Sequence, residues 1–378
     1  MLFYQSPPRA PERRSHHVST TEIVVATPPA PYAIRIGAGL LNALGGELDA
    51  AGFPRRRILV SSPVVWRLFG DRVQASLPGV PVVLAPDGER HKTLKTVSTI
   101  YDAFLRLGAD RGTGIVAVGG GVLGDSAGFA AASFLRGLAL AQVPTTLLAQ
   151  VDSSVGGKVG VNHPLGKNLI GAFHQPRLVA VDPLVLETLP RREFRAGLYE
   201  VVKYGMTSSR DLFDRISGQV SKIFRRSPEV MTPLIAESCR IKAEVVAADE
   251  REGGVRRVLN FGHTAGHALE AVTKYKRLRH GEAVAYGMLV ASELSVTRGR
   301  MPADDLARLK ALIGKLGKLP PISDISAAEI VEASRRDKKV VDGTLHFVLC
   351  TGIGSWAIAE DVSEPELTSA LRRTGFRE

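Results

Sequence analysis

The chain has 378 residues, 44% of them apolar and 23% charged, with a formal net charge of +11. That length exceeds one compact core and calls for two domains. The basic residues lie scattered in short runs, such as Arg55 to Arg57, without interleaved aromatics, which argues against a nucleic-acid partner. Only two cysteines occur, Cys239 and Cys350, outside any CxxC pair. No disulfide framework is expected, and a reducing, cytoplasmic setting is. No apolar run reaches the roughly 20 residues of a membrane span. The longest candidate, residues 127 to 151, is broken by Arg136 and Pro144.

Taken in chain order, residues 1 to 28 are rich in Pro and Arg and predict a flexible extension. Strand signals follow at Ile58 to Ser61, Val82 to Ala85 and Ile115 to Val118, with helical spacing over Thr99 to Leu107. This alternation predicts an α/β domain over 29 to 185, a parallel sheet with helices on its faces. Ligands of such sheets gather at the carboxyl ends of the strands. Gly119, Gly121 and Gly124 fit G-x-G-x-x-G directly after a strand, where glycines let backbone N–H groups approach a pyrophosphate. The acid expected about 20 residues later is missing. Asp125 comes too early and Asp152 too late, so a dinucleotide needs other contacts. Arg136, Asp152, Lys158 and Lys167 form a charged set suited to a small, densely anionic substrate.

After Pro190 the pattern turns helical: residues 192 to 204, 230 to 248, 263 to 273, 283 to 297 and 303 to 315 carry apolar residues at three- and four-residue spacing. A strand signal returns only at Leu345 to Cys350. A mainly α-helical domain over 186 to 378 is expected. His263 and His267 stand four apart on one helical face, and His280 follows. The HxxxH pair lacks the glutamate of the zinc-protease motif, so peptide hydrolysis is not expected. A catalytic zinc wants three protein ligands and an open position. Two histidines and a carboxylate would serve, and spacing leaves Glu200, Glu270 and Glu282 all open.

Seven blocks then occur in order: GGGVLGD from Gly119, VDSSVGGK from Val151, GKNLIGAF from Gly166, EVVKYG from Glu200, LNFGHTAGHALE from Leu259, HGEAVAYGM from His280 and DKKV from Asp337. From about Ile34 onward the chain resembles the 3-dehydroquinate synthases and, more widely, the sugar phosphate cyclases. The resemblance implies a dehydroquinate synthase-like fold with the site in the cleft between the domains. It implies Glu200, His263 and His280 as ligands of zinc or cobalt, with His267 catalytic beside them. It implies NAD on Gly120, Gly121 and Asp125, with Glu89 and Lys92 near the ribose. Thr145, Thr146, Lys158, Lys167, Thr188 and Leu189 would complete the cofactor site. Catalytic roles fall on Asp152, Lys158, Asn168, Lys203 and His267, and substrate contacts on Arg136, Lys242, Arg256, Asn260 and Lys339.

The implied reaction converts 3-deoxy-D-arabino-heptulosonate 7-phosphate to 3-dehydroquinate and phosphate. It runs by transient oxidation with NAD, β-elimination of phosphate, reduction and intramolecular aldol closure. The implied partner is this small molecule, with a homodimer expected and neither membrane nor nucleic acid. Alternatives are a related cyclase acting on sedoheptulose 7-phosphate or glucose 6-phosphate, and a metal-dependent polyol dehydrogenase. Ser61 and Ser62 stand where many relatives carry an acid or threonine.

Overall fold

A computed structural model describes residues 20–28, 30–335, 340–341 and 344–378, the side chains of 340, 341, 344 and 345 excepted. Lys339, expected to meet substrate, lies outside the described residues. The sheet-bearing half contains β1 (Thr21–Val25), β2 (Tyr32–Ile36), α1 (Leu44–Ala50), β3 (Arg57–Ser61), α2 (Pro63–Ser76), β4 (Val82–Leu84), α3 (Leu94–Arg106) and β5 (Gly114–Gly119). It continues with α4 (Gly121–Ser133), β6 (Ala139–Pro144), the hairpin β7 (Lys158–His163) and β8 (Gly166–Phe173), and β9 (Leu178–Val181). The strands order as β1-β2-β9-β6-β5-β3-β4, antiparallel at β1–β2 and parallel elsewhere.

Strand alternation explains the layering. Ile58, Val60, Ile115 and Ala117 pack with α3 and α4 on one face, while Leu59, Val116 and Val118 pack with α1 and α2 on the other. Strands buried on both faces read as the continuous apolar runs seen in the sequence. Ser62 caps α2 through its side chain, and Ser61 Oγ donates to the Val118 carbonyl at 2.8 Å.

The chain leaves β3 toward β4 and leaves β5 toward β6, in opposite directions across the sheet. Such a switch point opens a crevice at the carboxyl ends of the two strands. The glycine turn after β5 sits there.

The rest is mainly helical: α5 (Arg191–Thr207), α6 (Arg210–Ile223), α7 (Pro228–Ala248), α8 (His263–Val272), α9 (His280–Thr297), α10 (Ala303–Leu316), α11 (Ala327–Arg335) and α12 (Glu364–Thr374). A small sheet of β10 (Val340–Val341), β11 (Thr344–Gly352) and β12 (Ser355–Val362) joins them. No helix among the described residues is long and apolar enough to cross a membrane.

Several expectations need correction. Residues 21–25, placed in the flexible extension, form the edge strand β1, because Val25 is fully buried against the core and the strand pairs with β2. Helix α3 starts at Leu94 rather than Thr99, since Thr93 caps it by accepting from the Thr96 N–H. The β7–β8 hairpin was not anticipated. Its glycines hide the alternation, yet they permit the pairing: a Cβ on Gly160 would stand 2.5 Å from the Ile170 carbonyl oxygen.

Close backbone contacts bring the later helices together. A Cβ on Gly281 would lie 1.9 Å from the Ala196 carbonyl oxygen, and one on Gly287 would lie 1.8 Å from that of Gly262. These approaches seat α9 on α5 and α8. Gly281→Ala is therefore expected to force α5 and α9 apart and cost about 1–3 kcal/mol of overpacking strain. Denaturant unfolding checks this, and an unchanged midpoint would contradict it.

Candidate active site

A cleft of about 1760 Å³ opens between the switch point and α8 and α9. Gly120 and Gly121 form one wall, with Thr145 and Thr146 after β6 and Thr188 and Leu189 before α5. A Cβ on Gly121 would meet Ser153 Oγ at 2.7 Å, and one on Gly124 would meet Gln142 Oε1 at the same 2.7 Å. The glycines thus let α4 sit close to its neighbours, with free N–H groups of its first turn at the cleft, a setting suited to phosphate.

The hairpin residues are stitched to this side. Lys92 Nζ lies 2.5 Å from Asp125 Oδ2 and donates to Asn168 Oδ1 at 2.5 Å, while Asn162 Nδ2 donates to Glu89 Oε1 at 2.7 Å. Asn168 adopts the left-handed region at φ 52°. Burial pushes the Asp125 carboxyl up, against the pull of the Lys92 ammonium.

On the opposite side, α5, α8 and α9 present Glu200, His263, His267 and His280. Ring nitrogens of the three histidines lie within 4.8 Å of one another. His263 Nδ1 is 3.2 Å from the Phe261 carbonyl and His280 Nδ1 is 3.1 Å from Glu270 Oε2. Both partners only accept, so each Nδ1 carries the hydrogen. Nε2 of each ring then faces Glu200 Oε1, at 3.9 Å from His263 and 3.5 Å from His280.

Glu200 has no exposed surface, and neither of its oxygens receives a hydrogen bond among the described residues. Lys203 Nζ lies 2.5 Å from Oε2 as an ion pair. Burial opposes the charge on His280, but Glu270 and Glu200 outweigh it and hold its pKa above the usual value. A carboxylate and two imidazoles converging with lone pairs inward fit a zinc-type ion with one open position.

The structure separates the three carboxylates left open by spacing. Glu282 is held by Arg192 at 2.7 Å and Arg195 at 3.2 Å and accepts from the Arg279 N–H. Glu270 faces the far nitrogen of His280 and Lys167 Nζ, at 3.0 Å. Only Glu200 of these three faces both Nε2 atoms.

Asp152 belongs to a one-turn π-helix, Ala149–Ser153. It accepts from Lys242 Nζ at 2.7 Å and Tyr204 Oη at 2.8 Å. Burial would raise its pKa, but Lys242 and Lys203 hold it far below the usual carboxylate range. Burial pushes the Lys242 ammonium down, despite Asp152. Lys158 Nζ pairs with Glu252, whose other oxygen accepts from Asn260 Nδ2 at 2.6 Å.

Three expected substrate contacts do not line the cleft of their own chain: Lys242, buried behind Asp152, and two arginines. Arg136 is exposed in the turn after α4, whose 13 residues carry it roughly 20 Å from the glycine turn. Arg256 is buried and donates to the carbonyls of Gly156, at 3.0 Å, and Glu250. It clamps the turn before β7 instead of pointing into the cleft. Sequence reasoning missed Glu252 and Tyr204. Tyr204 lies in the EVVKYG block without a role of its own there, and Glu252 lies in none of the blocks; their contacts to Asp152 and Lys158 span 52 and 94 positions.

Residues 82–196 match the 3-dehydroquinate synthase N-terminal family and residues 197–340 the C-terminal one. The chain belongs to the 3-dehydroquinate synthase family. A 3-dehydroquinate synthase of Synechococcus sp. is 47% identical over 364 residues, covering 93% of this chain and 98% of its own. That of Gloeobacter violaceus is 50% identical over 357 residues, covering 93% and 97%. A solved 2-epi-5-epi-valiolone synthase from Streptomyces hygroscopicus, with NAD+ and Zn2+ bound, superposes with a TM-score of 0.84 at 29% identity, covering 92% of this chain and 98% of its own. The higher identity to the dehydroquinate synthases favours their activity over that of the related cyclases.

Removing the Asp152 charge leaves Lys242 buried without its partner. Asp152→Asn is expected to destabilise by about 3–5 kcal/mol at pH 7. The folded variant then binds fewer protons at Lys242 than the unfolded chain, so its deficit shrinks as pH rises toward 10. Unfolding curves at pH 7 and pH 9.5 check this, and a deficit independent of pH would contradict it.

Proposed function

We infer that this protein converts 3-deoxy-D-arabino-heptulosonate 7-phosphate to 3-dehydroquinate and phosphate, using NAD catalytically with a zinc or cobalt ion. The observation that carries the reading is Glu200, a buried carboxylate facing Nε2 of His263 and of His280, the latter lining the cleft that also holds the glycine turn. Glu200, His263 and His280 would hold the ion. Gly120, Gly121, Thr145, Thr146, Thr188 and Leu189 would line the NAD site, with Glu89, Lys92, Asp125 and Lys167 toward the ribose. When bound, the nicotinamide supplies a hydride sink that is also the hydride source, and the ion supplies a Lewis acid beside the substrate oxygens.

The chain's own residues do the rest. Lys158 and Asn260 hold the anionic and polar ends of the substrate, with Lys203 and Lys242 adding positive field behind them. Asp152, kept ionised by that field, orients a substrate hydroxyl. His267 stands edge-on to His263, with ring centroids 5.2 Å apart, and is placed to move a proton at a group bound in the cleft. Asn168 and Lys158, on paired strands of one hairpin, keep the reacting carbons against the cofactor side. Phosphate leaves by β-elimination and the product closes as a carbocycle, with no net redox change.

We assign the NAD side to residues 29–185 and the metal and substrate side to 186–378. The reading extends to a cytoplasmic homodimer. It is supported by the family resemblance and, for the compartment, by two buried, unpaired thiols, with burial pushing Cys239 up to about 12.

Phosphate release from the heptulosonate phosphate, with catalytic NAD and added zinc, tests the reading. Many turnovers per NAD and a product of dehydroquinate mass are expected. Release only from sedoheptulose 7-phosphate would move the substrate and overturn this assignment. Exhaustive chelation should abolish turnover, and zinc or cobalt should restore it. His263→Ala is expected to lose the metal, whereas Lys158→Ala keeps it and fails to turn over. Equal metal content in the two variants would undo that division of roles.

A further inference from the structure

Glu270 occupies the last turns of α8, with only 3% of its surface exposed. Each of its oxygens has a separate partner. Oε2 accepts from His280 Nδ1 at 3.1 Å, and Oε1 accepts from Lys167 Nζ at 3.0 Å. The carboxylate therefore stands behind the His280 ring, on the side away from Glu200. Lys167 comes from β8, in the sheet-bearing half. Its ammonium also lies 3.8 Å from Glu89 Oε1 and 4.3 Å from the centre of the Tyr275 ring. Tyr275 in turn donates its N–H to the Glu270 carbonyl at 2.8 Å. One buried carboxylate thus touches a histidine of the metal cluster and a lysine of the cofactor-side hairpin.

We propose that Glu270 is a positioning residue that fixes the tautomer and ring plane of His280, and that Lys167 braces it from the cofactor-side hairpin. Metal affinity then depends on a side chain contributed by the other half of the fold. The inference rests on the assignment of His280 as a ligand made above. A histidine that donates its second nitrogen to a carboxylate is both oriented and made a better donor to a metal. Glutamine at 270 keeps the size, but its amide places an N–H against either Lys167 or His280, where both partners already donate. The His280 ring would lose its hold or Lys167 would lose its counter-charge.

The test is zinc affinity of the full chain, measured without NAD by competition with a chromogenic chelator. Wild type, Glu270→Gln and Lys167→Met are compared, with the visible spectrum of the cobalt-loaded forms and thermal unfolding of the metal-free forms alongside. Glu270→Gln should weaken zinc binding about 10- to 100-fold and alter the cobalt spectrum. Lys167→Met should weaken it about fivefold or more. The metal-free unfolding temperature of Lys167→Met should stay near that of wild type, which a merely structural role would not allow, while Glu270→Gln, which buries an unmatched N–H, is judged by the zinc affinity and cobalt spectrum of its folded form. Wild-type affinity in Glu270→Gln overturns the proposal. Should that variant fail to fold, Lys167→Met decides alone, because its side chain is partly exposed on the hairpin, and unchanged zinc affinity there overturns the proposal. A wild-type chain that binds no zinc overturns the metal assignment itself and this inference with it.

Discussion

Glu200 places a negative charge where water has no access. Carrying an ion to such a point costs several kcal/mol even after the protein relaxes, and the surrounding architecture is arranged around offsetting that cost. Lys203, one turn away on the same helix, supplies one opposing charge. Two imidazoles on α8 and α9 supply lone pairs that make the point attractive to a cation. The helices come close enough only because glycines at 281 and 287 leave no Cβ between backbones. The electrostatic demand of one carboxylate and the steric permission of two glycines are a single constraint.

A second layer of charge organises the rest of the cleft. Each key lysine is held by a carboxylate: Lys92 by Asp125, Lys158 by Glu252, Lys167 by Glu270, Lys203 by Glu200 and Lys242 by Asp152. Four of these pairs join elements far apart in sequence and the fifth lies within α5, so the lysines are held in fixed orientations within a partly buried space. A cleft of this kind suits a small molecule bearing both carboxylate and phosphate, and it fits poorly with a simple polyol.

Much of this was legible beforehand, and for local reasons. Strands buried on both faces announce themselves as apolar runs at Ile58 to Ser61 and Ile115 to Val118. Helices with one wet face announce themselves by three- and four-residue spacing. Glycine turns and HxxxH pairs have fixed spacings that a linear reading finds. The β7–β8 hairpin escaped because its glycines erase the alternation that marks a strand. Strand β1 escaped because its pairing with β2, not its own composition, orders it.

The sequence by itself determined the family, the alternation of elements in the first half, the helical second half and the residue types of a metal site, because each is written in short-range pattern or ordered motif. Spacing left Glu200, Glu270 and Glu282 open, and the tertiary structure shows that of the three Glu200 faces Nε2 of both His263 and His280. All three lie on helices and all are buried, and what separates them is which partners the packing brings to their oxygens. It also decided that Arg256 turns to backbone carbonyls and that Arg136 lies far from its own cleft. Direction and distance of a side chain are set by helix approach and strand register, which sum contacts over the whole chain and leave no local trace.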